Sequence, residues 1–160
     1  MIPIDRYEKR WLAATGITLV VFVLAIAVTG FVVGVQLPST AQRVNPIRVS
    51  EQGPFATPGV RQLAPGRYDA YVIAPGMWTF YPNVIRIPQG STVTFHLTSQ
   101  DVQHGFYVEG TNVHMMVLPG QVSELTTTFR KAGEYHFWCD EYCGLNHHTM
   151  SGRIIVEPKR

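Results

Sequence analysis

Charged residues are scarce in this sequence, and cysteine is almost absent. Asp, Glu, Lys and Arg make up 15% of the 160 residues, whereas soluble domains average about 25%, and this shortage argues against a disordered tail or a coiled coil. Two cysteines are too few for a small fold held together by disulfides. The net charge is only +2, with Lys and Arg scattered along the chain, so no basic patch indicates nucleic-acid binding. The length suits a single compact domain.

One long segment carries no charge at all. Residues 11–36 contain no Asp, Glu, Lys or Arg, and the apolar run Leu12–Val35 is 24 residues long. A helix needs about 20 apolar residues to cross a bilayer core, while the apolar stretch of a signal peptide has only about 7–15. We therefore predict a retained single-pass transmembrane helix over residues 11–36, preceded by a short N-terminal segment, residues 1–10. The threonine hydroxyls of this helix can bond to its own backbone carbonyls.

The charges that flank the predicted span indicate its orientation. Because positive charge favours the cytoplasmic side of a membrane, we predict a cytoplasmic N-terminus in the cell membrane. Residues 37–160 then lie on the periplasmic or extracellular side. Three basic residues stand directly before the span, and the first two beyond it are set well back: Arg6, Lys9 and Arg10 against Arg43 and Arg48.

The rest of the chain changes character at residue 67. Residues 37–66 hold five of the eleven prolines, with much Gly, Ser, Thr and Gln, and we predict a linker with little regular structure. Beyond it, short alternating segments are separated by turns, which is typical of an antiparallel β-sandwich. The predicted strands are Tyr68–Ile73, Val84–Ile87, Ser91–Thr98, Gln121–Phe129, Tyr135–Cys139 and Gly152–Val156.

Soft metal ligands are concentrated in one short segment near the C-terminus. Cys139, Cys143, His147 and Met150 fall within twelve residues, and thiolate, imidazole and thioether are ligands that select copper. His104, which stands just past a predicted strand end, is the best candidate for a second histidine presented by a loop. The alternative for the two cysteines is a structural disulfide, because an exported domain lies in an oxidising compartment.

The number of ligands favours two copper ions over one. A mononuclear electron-transfer site uses two His, one Cys and a weak axial Met, and this segment has a second Cys. Two thiolates can bridge two coppers, each of which then takes one histidine and one weak axial ligand. Met150 can serve one copper, and the backbone carbonyl of Glu141 can serve the other. Sharing one electron over two metals spreads the change in charge, so little reorganisation is needed on reduction.

These residues resemble a known family. The segment CDEYCGLNHHTM, residues 139–150, resembles the CuA motif CxExCGxxHxxM of cytochrome c oxidase subunit II, and DVQHG, residues 101–105, resembles the segment that carries its first histidine. LPGQVSELTTTFRKAGEYHFWC, residues 118–139, is similar to the strand pair that leads to the site. The single N-terminal anchor resembles that of the B-family (ba-type) oxidases. The resemblance implies a mainly β fold, a cupredoxin-like Greek-key β-sandwich over residues 67–160.

The resemblance also implies that a binuclear copper centre, CuA, lies in this domain. The family spacing selects His147 rather than its neighbour His148 as a ligand. The side chain at the position of Glu141 binds magnesium in many family members, and the alternative here is a solvated carboxylate or a salt bridge. The implied copper ligands are the bridging Cys139 and Cys143, His104 with Met150 on one copper, and His147 with the Glu141 carbonyl on the other.

By this resemblance the chain is the electron-accepting subunit of a respiratory haem-copper oxidase. It would accept electrons from cytochrome c and pass them to a haem in subunit I, where oxygen is reduced, so no catalytic residue is expected on this chain. Trp78 resembles the aromatic cluster where electrons enter, with core or membrane-interface packing as the alternative. Glu8 resembles a carboxylate at the mouth of a proton channel, with a solvated helix flank as the alternative. Residues 37–160 carry a net charge of +1, so we expect a mostly apolar docking patch near Trp78.

Two other classes of function are compatible with these ligands. One is a CuA subunit of a nitric oxide reductase, or less readily of nitrous oxide reductase, whose copper domain follows a propeller domain. The other is a copper-delivery protein or a disulfide-closed binding domain. His96 is expected to be solvated, because it alternates with Val93, Phe95 and Leu97 and lies with Thr94 and Thr98 on the polar face of its predicted strand. His114 and His136 are expected at the surface or on a strand edge, and Met115 and Met116 in the core.

Overall fold

The structure, a computed structural model, describes residues 5–33, 38–51, 53–76 and 78–159. The chain divides into two compact units, Met1–Gln36 and Leu37–Arg160. The first unit is a long helix, α1 (Arg6–Val28), which continues as a π-helical turn, Thr29–Val33. A capping box begins this helix, because the Asp5 side chain accepts from the helix backbone and the Glu8 side chain accepts from the Asp5 N–H.

The helix is long and apolar enough to cross a membrane. The candidate span, Arg6–Val32, has 27 residues and a mean hydropathy of 2.5 over its most apolar window, and the described residues contain no second helix of this kind. Two predicted hydroxyl contacts are confirmed: Thr18 Oγ1 donates to Ala14 O at 2.9 Å, and Thr29 Oγ1 donates to Ala25 O at 2.8 Å. Residues 34–36 of the predicted span lie outside the described residues.

The second unit is a sandwich of two five-stranded sheets. The strands are β1 (Ser39–Arg43), β2 (Gly59–Ala64), β3 (Arg67–Ala74), β4 (Val84–Pro88), β5 (Thr92–Ser99), β6 (His104–Val108), β7 (His114–Val117), β8 (Gln121–Thr128), β9 (Gly133–Trp138) and β10 (Ser151–Glu157). The first sheet has the order β1-β8-β5-β3-β2, and the second has the order β4-β10-β9-β6-β7. Most pairs are antiparallel as predicted, but β3 with β5 and β4 with β10 run parallel.

The main core fills the space between the two sheets. On β5, the inward residues Val93, Phe95 and Leu97 alternate with Thr94, His96 and Thr98, as the sequence predicted. The second sheet contributes Phe106 and Phe137, which are fully buried. Each aromatic side chain in such a core buries roughly 150–250 Å², so the core fixes the strand ends on which the candidate site is built.

The predicted linker, residues 37–66, differs from the expectation that it would have little regular structure. It supplies the outer strands β1 and β2 of the first sheet, together with two short 3-10 helices, Pro46–Glu51 and Gly53–Ala56. Val49 and Phe55 from these helices pack in a small second cluster with Ile73 and Val122. Pro46 and Pro54 lie within the 3-10 helices and Pro65 lies in the turn between β2 and β3, so these prolines belong to ordered structure.

The structure places two residues differently from the prediction. His96 is not solvated, because its side chain, 13% exposed, lies between Asp69 and Glu124 on the neighbouring strands and stacks on Tyr71 at 4.6 Å. Met116 is not a core residue but is 44% exposed on β7, whereas its neighbour Met115 is buried as predicted. For His96 the alternation gave the face of the strand but not what covers that face, and for Met116 the strand itself was not predicted.

Candidate metal centre

The copper-ligand candidates come from two places in the second sheet. His104 is the first residue of β6, and the segment 139–150 joins β9 to its neighbour β10. His104 was predicted in a loop, but it pairs with Val117 of β7 and is therefore strand-bound. The two ends of the long loop are drawn together because Cys139 N–H donates to Met150 O at 2.9 Å.

Cys139 lies at the centre of the ligand candidates. Its sulfur is 3.7 Å from the sulfur of Cys143, 3.9 Å from His104 Nδ1 and 3.1 Å from the carbonyl oxygen of Glu141. The two thiols are free, and 3.7 Å is far longer than the roughly 2.05 Å of a disulfide bond. The donor atoms of His104, Cys139 and Cys143 all lie within 4.8 Å of one another.

Cys143 contacts the other two candidates. Its sulfur is 3.6 Å from His147 Nδ1 and 3.8 Å from the Met150 sulfur. A 3-10 turn over His147–Thr149 directs His147 back to the thiol, and the turn begins where His147 N–H donates to Gly144 O at 3.1 Å. Met150 is buried, whereas His148 next to His147 is exposed and has no such contact with the thiols among the described residues. The structure thus brings together the whole set predicted from the motif.

The pKa values of the two thiols are shifted in opposite directions. Burial acts to raise the pKa of Cys139, but hydrogen bonds from His104, the backbone of Gly105 and Cys143 outweigh it and lower the pKa to about 7. Burial and the hydrogen bond to Cys139 raise the pKa of Cys143 to about 12. Near neutral pH the pair therefore holds one readily formed thiolate, the form of sulfur that binds metals.

A carboxylate fixes the orientation of the buried His104 ring. His104 Nε2 lies 2.9 Å from Asp101 Oδ1, and Ser99 Oγ donates to the same oxygen at 2.9 Å. Burial acts to raise the pKa of Asp101, but hydrogen bonds from His104, the backbone of Val102 and Ser99 lower it overall. Burial acts to lower the pKa of His104, but its hydrogen bonds to Cys139 and Asp101 raise it overall. A metal-binding histidine usually donates its second N–H in this way.

The donor set fits copper. It consists of two thiols, two imidazole nitrogens, a thioether and a carbonyl oxygen, and soft sulfur with imidazole suits copper. Bonds of about 2.3 Å, as for thiolates on zinc, would allow two bridging sulfurs to be at most about 4.6 Å apart, and the observed 3.7 Å is within that span. A thioether is a weak ligand for zinc, so the buried Met150 further favours copper.

The other predicted site residues lie in different surroundings. Trp78 is partly buried and packs against the main core, close to Gly144 of the candidate copper loop, residues 139–150. The Glu141 side chain is exposed and lines a cavity of about 410 Å³ together with His114 and Met116. Glu8, in the helical unit, caps α1. The structure thus places Trp78 and Glu141 at the loop and gives Glu8 a capping contact.

Several residues that hold the site were not predicted. Asp101 orients His104, and the signal for it was its position three residues earlier in the DVQHG segment. Asp140, next to Cys139, forms an ion pair with His114, which is exposed as predicted. Tyr142 and Leu145 project from the loop with 81% and 82% of their surface exposed. Exposing large side chains with apolar surface to water costs free energy, so the loop has the composition of a contact surface.

The chain is similar to cytochrome c oxidase subunits. Residues 78–158 match the family model described as cytochrome c oxidase subunit II, periplasmic domain. Cytochrome c oxidase subunit 2 of Thermus thermophilus is 44% identical over 155 residues, covering 94% of this chain and 92% of that protein.

The chain is also similar to solved structures of oxidase subunits. A chain of a haem-copper terminal oxidase dimer, determined by cryo-EM, matches with a TM-score of 0.78 and 35% identity, covering 95% of this chain and all of that one. The periplasmic domain of subunit II of the Bradyrhizobium japonicum oxidase, 22% identical over 56% of this chain and 84% of its own, has a TM-score of 0.50 and supports the fold alone. The predicted mainly β, cupredoxin-like sandwich with one apolar N-terminal helix is confirmed.

Proposed function

This chain belongs to the cytochrome c oxidase subunit II family, and from this premise we propose that it carries a binuclear copper centre, CuA, which receives electrons from cytochrome c. The chain is a membrane-anchored subunit of an oxidoreductase complex, and subunit I of a haem-copper oxidase is its partner. Oxygen reduction belongs to that partner. The proposed ligands are His104, Cys139, the carbonyl of Glu141, Cys143, His147 and Met150.

One observation carries the proposal: two free thiols lie 3.7 Å apart, and each has an imidazole Nδ1 within 3.9 Å. A mononuclear copper site would use only one of these thiols, and the second would remain a buried, unused thiol. When bound, a copper pair supplies one-electron transfer with little change in its ligand positions. The protein contributes ligands that are held in fixed positions, and it partly shields them from solvent.

The fold keeps the ligands in place before metal arrives. The neck of the loop is closed by the Cys139–Met150 backbone bond, and the strands on either side, β9 and β10, are paired along their length. His104 is held by β6 pairing and by Asp101. Ligands mounted on rigid elements retain their geometry when the charge of the metal changes, which suits an electron carrier.

The copper loop supplies a docking surface for the donor. Tyr142 and Leu145 are exposed, and Trp78 packs against the same loop at Gly144. Residues 37–160 have ten basic and nine acidic residues, so no strong field steers a charged donor. Cytochrome c therefore docks on an apolar patch formed by these three side chains, with Trp78 as the point at which electrons enter.

The orientation in the membrane follows from flanking charge. Arg6, Lys9 and Arg10 place the start of α1 on the cytoplasmic side, and the copper domain is then on the outer side, where a soluble cytochrome can reach it. Glu8 lies on the cytoplasmic side in this arrangement and is positioned for proton entrance into the complex, in addition to its capping contact.

A magnesium ion at Glu141 would depend on ligands from outside the described residues. Glu141 lines the cavity beside the copper loop, but within the described ranges no two further His, Cys, Asp or Glu donors converge with its carboxylate. Magnesium prefers six oxygen ligands, so an ion at Glu141 would need its other ligands from water and from subunit I.

The direct test is copper loading of the full chain in detergent. We expect two coppers per chain and a paramagnetic resonance spectrum whose hyperfine splitting is shared by both nuclei. The Cys143→Ser variant is the matched control, because it removes one bridge and should hold one copper with splitting from a single nucleus. A parent chain that holds only one copper, or that forms a Cys139–Cys143 disulfide and refuses copper after reduction, would overturn the proposal.

A further inference from the structure

Trp78 has an unusual backbone. Its φ is +52°, and among the described residues no other non-glycine residue has a positive φ. For a bulky side chain this conformation is a genuine outlier, and such residues persist only where their surroundings hold them in place. The surroundings of Trp78 should therefore reveal what the strained position achieves.

The indole of Trp78 lies directly on Gly144. A Cβ atom placed on Gly144 would be 2.9 Å from the indole Nε1 and 3.6 Å from both Cε2 and Cζ2. Gly144 itself has a φ of +129°, a region that L side chains rarely adopt. Two requirements thus favour glycine at this position, the backbone conformation and the space taken by the indole.

Gly144 is where the His147 turn begins. It follows the thiol-bearing Cys143, and its carbonyl accepts the His147 N–H at 3.1 Å. The next bonds of this turn run from Thr149 N–H to Asn146 O at 3.0 Å and from Met150 N–H to His147 O at 3.2 Å. A shift of Gly144 would therefore move the turn that directs His147 to the thiol.

The short segment that carries Trp78 also contacts His104, the other candidate histidine ligand. Phe80 is fully buried, its ring packs edge-on against His104 at 6.5 Å, and it contacts Phe106 and Phe137. Phe80 fixes the position of the segment in the core. Trp78, two residues earlier, is thereby carried to the loop from a rigid base.

We propose that Trp78 is a positioning residue for His147, acting through its contact with Gly144. The inference rests on the proposed copper site and adds a role beyond the passage of electrons. The indole covers the Gly144 peptide, prevents the loop from moving outward, and so keeps the His147 Nδ1 in reach of the Cys143 sulfur. The strained backbone of Trp78 is retained because it delivers the indole to this contact.

The test compares Trp78→Phe, Trp78→Ala and Tyr68→Ala in the full chain loaded with copper. Tyr68 is the matched control, because it is also a partly buried aromatic packed on the main core. It lies near the start of β3, whereas Ser99, which donates to Asp101, pairs with Ala74 at the other end of that strand. We expect Trp78→Ala to release copper to a chelator at least tenfold faster than the parent and to change the copper hyperfine splitting. Trp78→Phe should lie between Trp78→Ala and the parent. Tyr68→Ala should match the parent in both properties.

A second variant separates positioning from a loss of stability. Gly144→Ala should reproduce the altered splitting, and its effect on copper release should be smaller in the Trp78→Ala background, because the indole it collides with is gone. The inference is overturned if Trp78→Ala keeps the parent splitting and release rate and slows only reduction by cytochrome c. If the parent itself shows no shared splitting, the copper-site proposal fails first and this inference fails with it.

Discussion

His104 Nε2 lies 2.9 Å from Asp101 Oδ1, while its Nδ1 faces the sulfur of Cys139 at 3.9 Å. The carboxylate accepts the Nε2–H, and the lone pair on Nδ1 is therefore left for a metal. Asp101 is itself held in place, because Ser99 Oγ donates to it and its own N–H donates to Ser99 Oγ. A side chain that was not predicted as part of the site thus determines which nitrogen of His104 can bind copper.

Removal of the Asp101 charge should weaken copper binding. In Asp101→Asn the ring of His104 loses its charged partner, and changes of this kind typically cost about 10–100-fold in metal affinity. Competition with a chelator measures the effect. The control is Asp69→Asn, which removes a β3 carboxylate from its contacts with Tyr71 and with His96 of β5, away from the loop. Equal affinities for the two variants would contradict the role given to Asp101.

The same pair should give the metal-free chain a characteristic pH dependence. Asp101 has a lowered pKa when folded, so its contribution is present above the ordinary value of 3.8 and is lost as the pH falls through the lower folded pKa. His104 has a raised pKa when folded, so its contribution is present below 6.5 and is lost as the pH rises through the higher folded pKa.

The unfolding free energy of the metal-free parent should therefore exceed that of Asp101→Asn most between about pH 3.8 and 6.5. The difference should shrink on both sides of this window. Denaturant titrations in detergent, with a chelator present, measure it at each pH. A difference that stayed constant up to pH 9 would show that the pair does not act through the charge of His104.

Neighbouring histidines in the loop should behave very differently. His147 Nδ1 lies 3.6 Å from the Cys143 sulfur, whereas His148 is exposed. We expect His147→Ala to lose the shared hyperfine splitting and to bind copper more weakly, and His148→Ala to keep both properties of the parent. The two variants differ by a single position, so each is the control for the other. The reverse result would assign the ligand to His148.

An exposed leucine of the loop should contribute to docking of the electron donor. Leu145 is 82% exposed in the copper loop, and Leu63, 62% exposed on β2, is a control of the same residue type. In the assembled oxidase, Leu145→Ala should raise the KM for cytochrome c by roughly five- to tenfold, corresponding to ~1 kcal/mol of apolar contact, while Leu63→Ala leaves it unchanged. The rate should change little between about 0.01 and 0.15 M salt, and a steep decline would indicate charge steering instead.

The structure brings the candidate ligands of the loop together, as the motif predicted, because they are close together in the chain. Cys143, His147 and Met150 are local to one another, and a short loop between paired strands leaves few ways to arrange them. His104 was also selected correctly as the histidine that meets the loop, but its strand was missed. β6 and β7 have only five and four residues, so neither carries a strong local pattern. They pair with each other, and β6 also pairs with β9.

The parts that could not be predicted depend on contacts between distant residues. Alternation showed that His96 lies on the outer face of β5, but only the parallel and antiparallel pairing of β3 and β8 beside it brings Asp69 and Glu124 to the ring. Proline-rich residues 37–66 have no periodic pattern, yet β1 and β2 find partners in β8 and β3. Backbone pairing with a distant strand needs no hydrophobic signature of its own.

Gly105, the residue after His104, should not tolerate a side chain. A Cβ atom there would overlap the Asp140 carboxylate and would lie 2.8 Å from the Glu141 backbone nitrogen. The carboxylate could rotate away only by giving up its ion pair with His114, and the backbone nitrogen belongs to the loop itself. We therefore expect Gly105→Ala to move the loop away from β6, to speed copper release roughly tenfold or more, and to alter the hyperfine splitting. The matched control is Gly16→Ala, where among the described residues no atom other than nearby backbone of the same helix lies within 4 Å of the added Cβ. If Gly105→Ala retained copper as firmly as this control, the contact between β6 and the loop could not be what holds the two halves of the ligand set together.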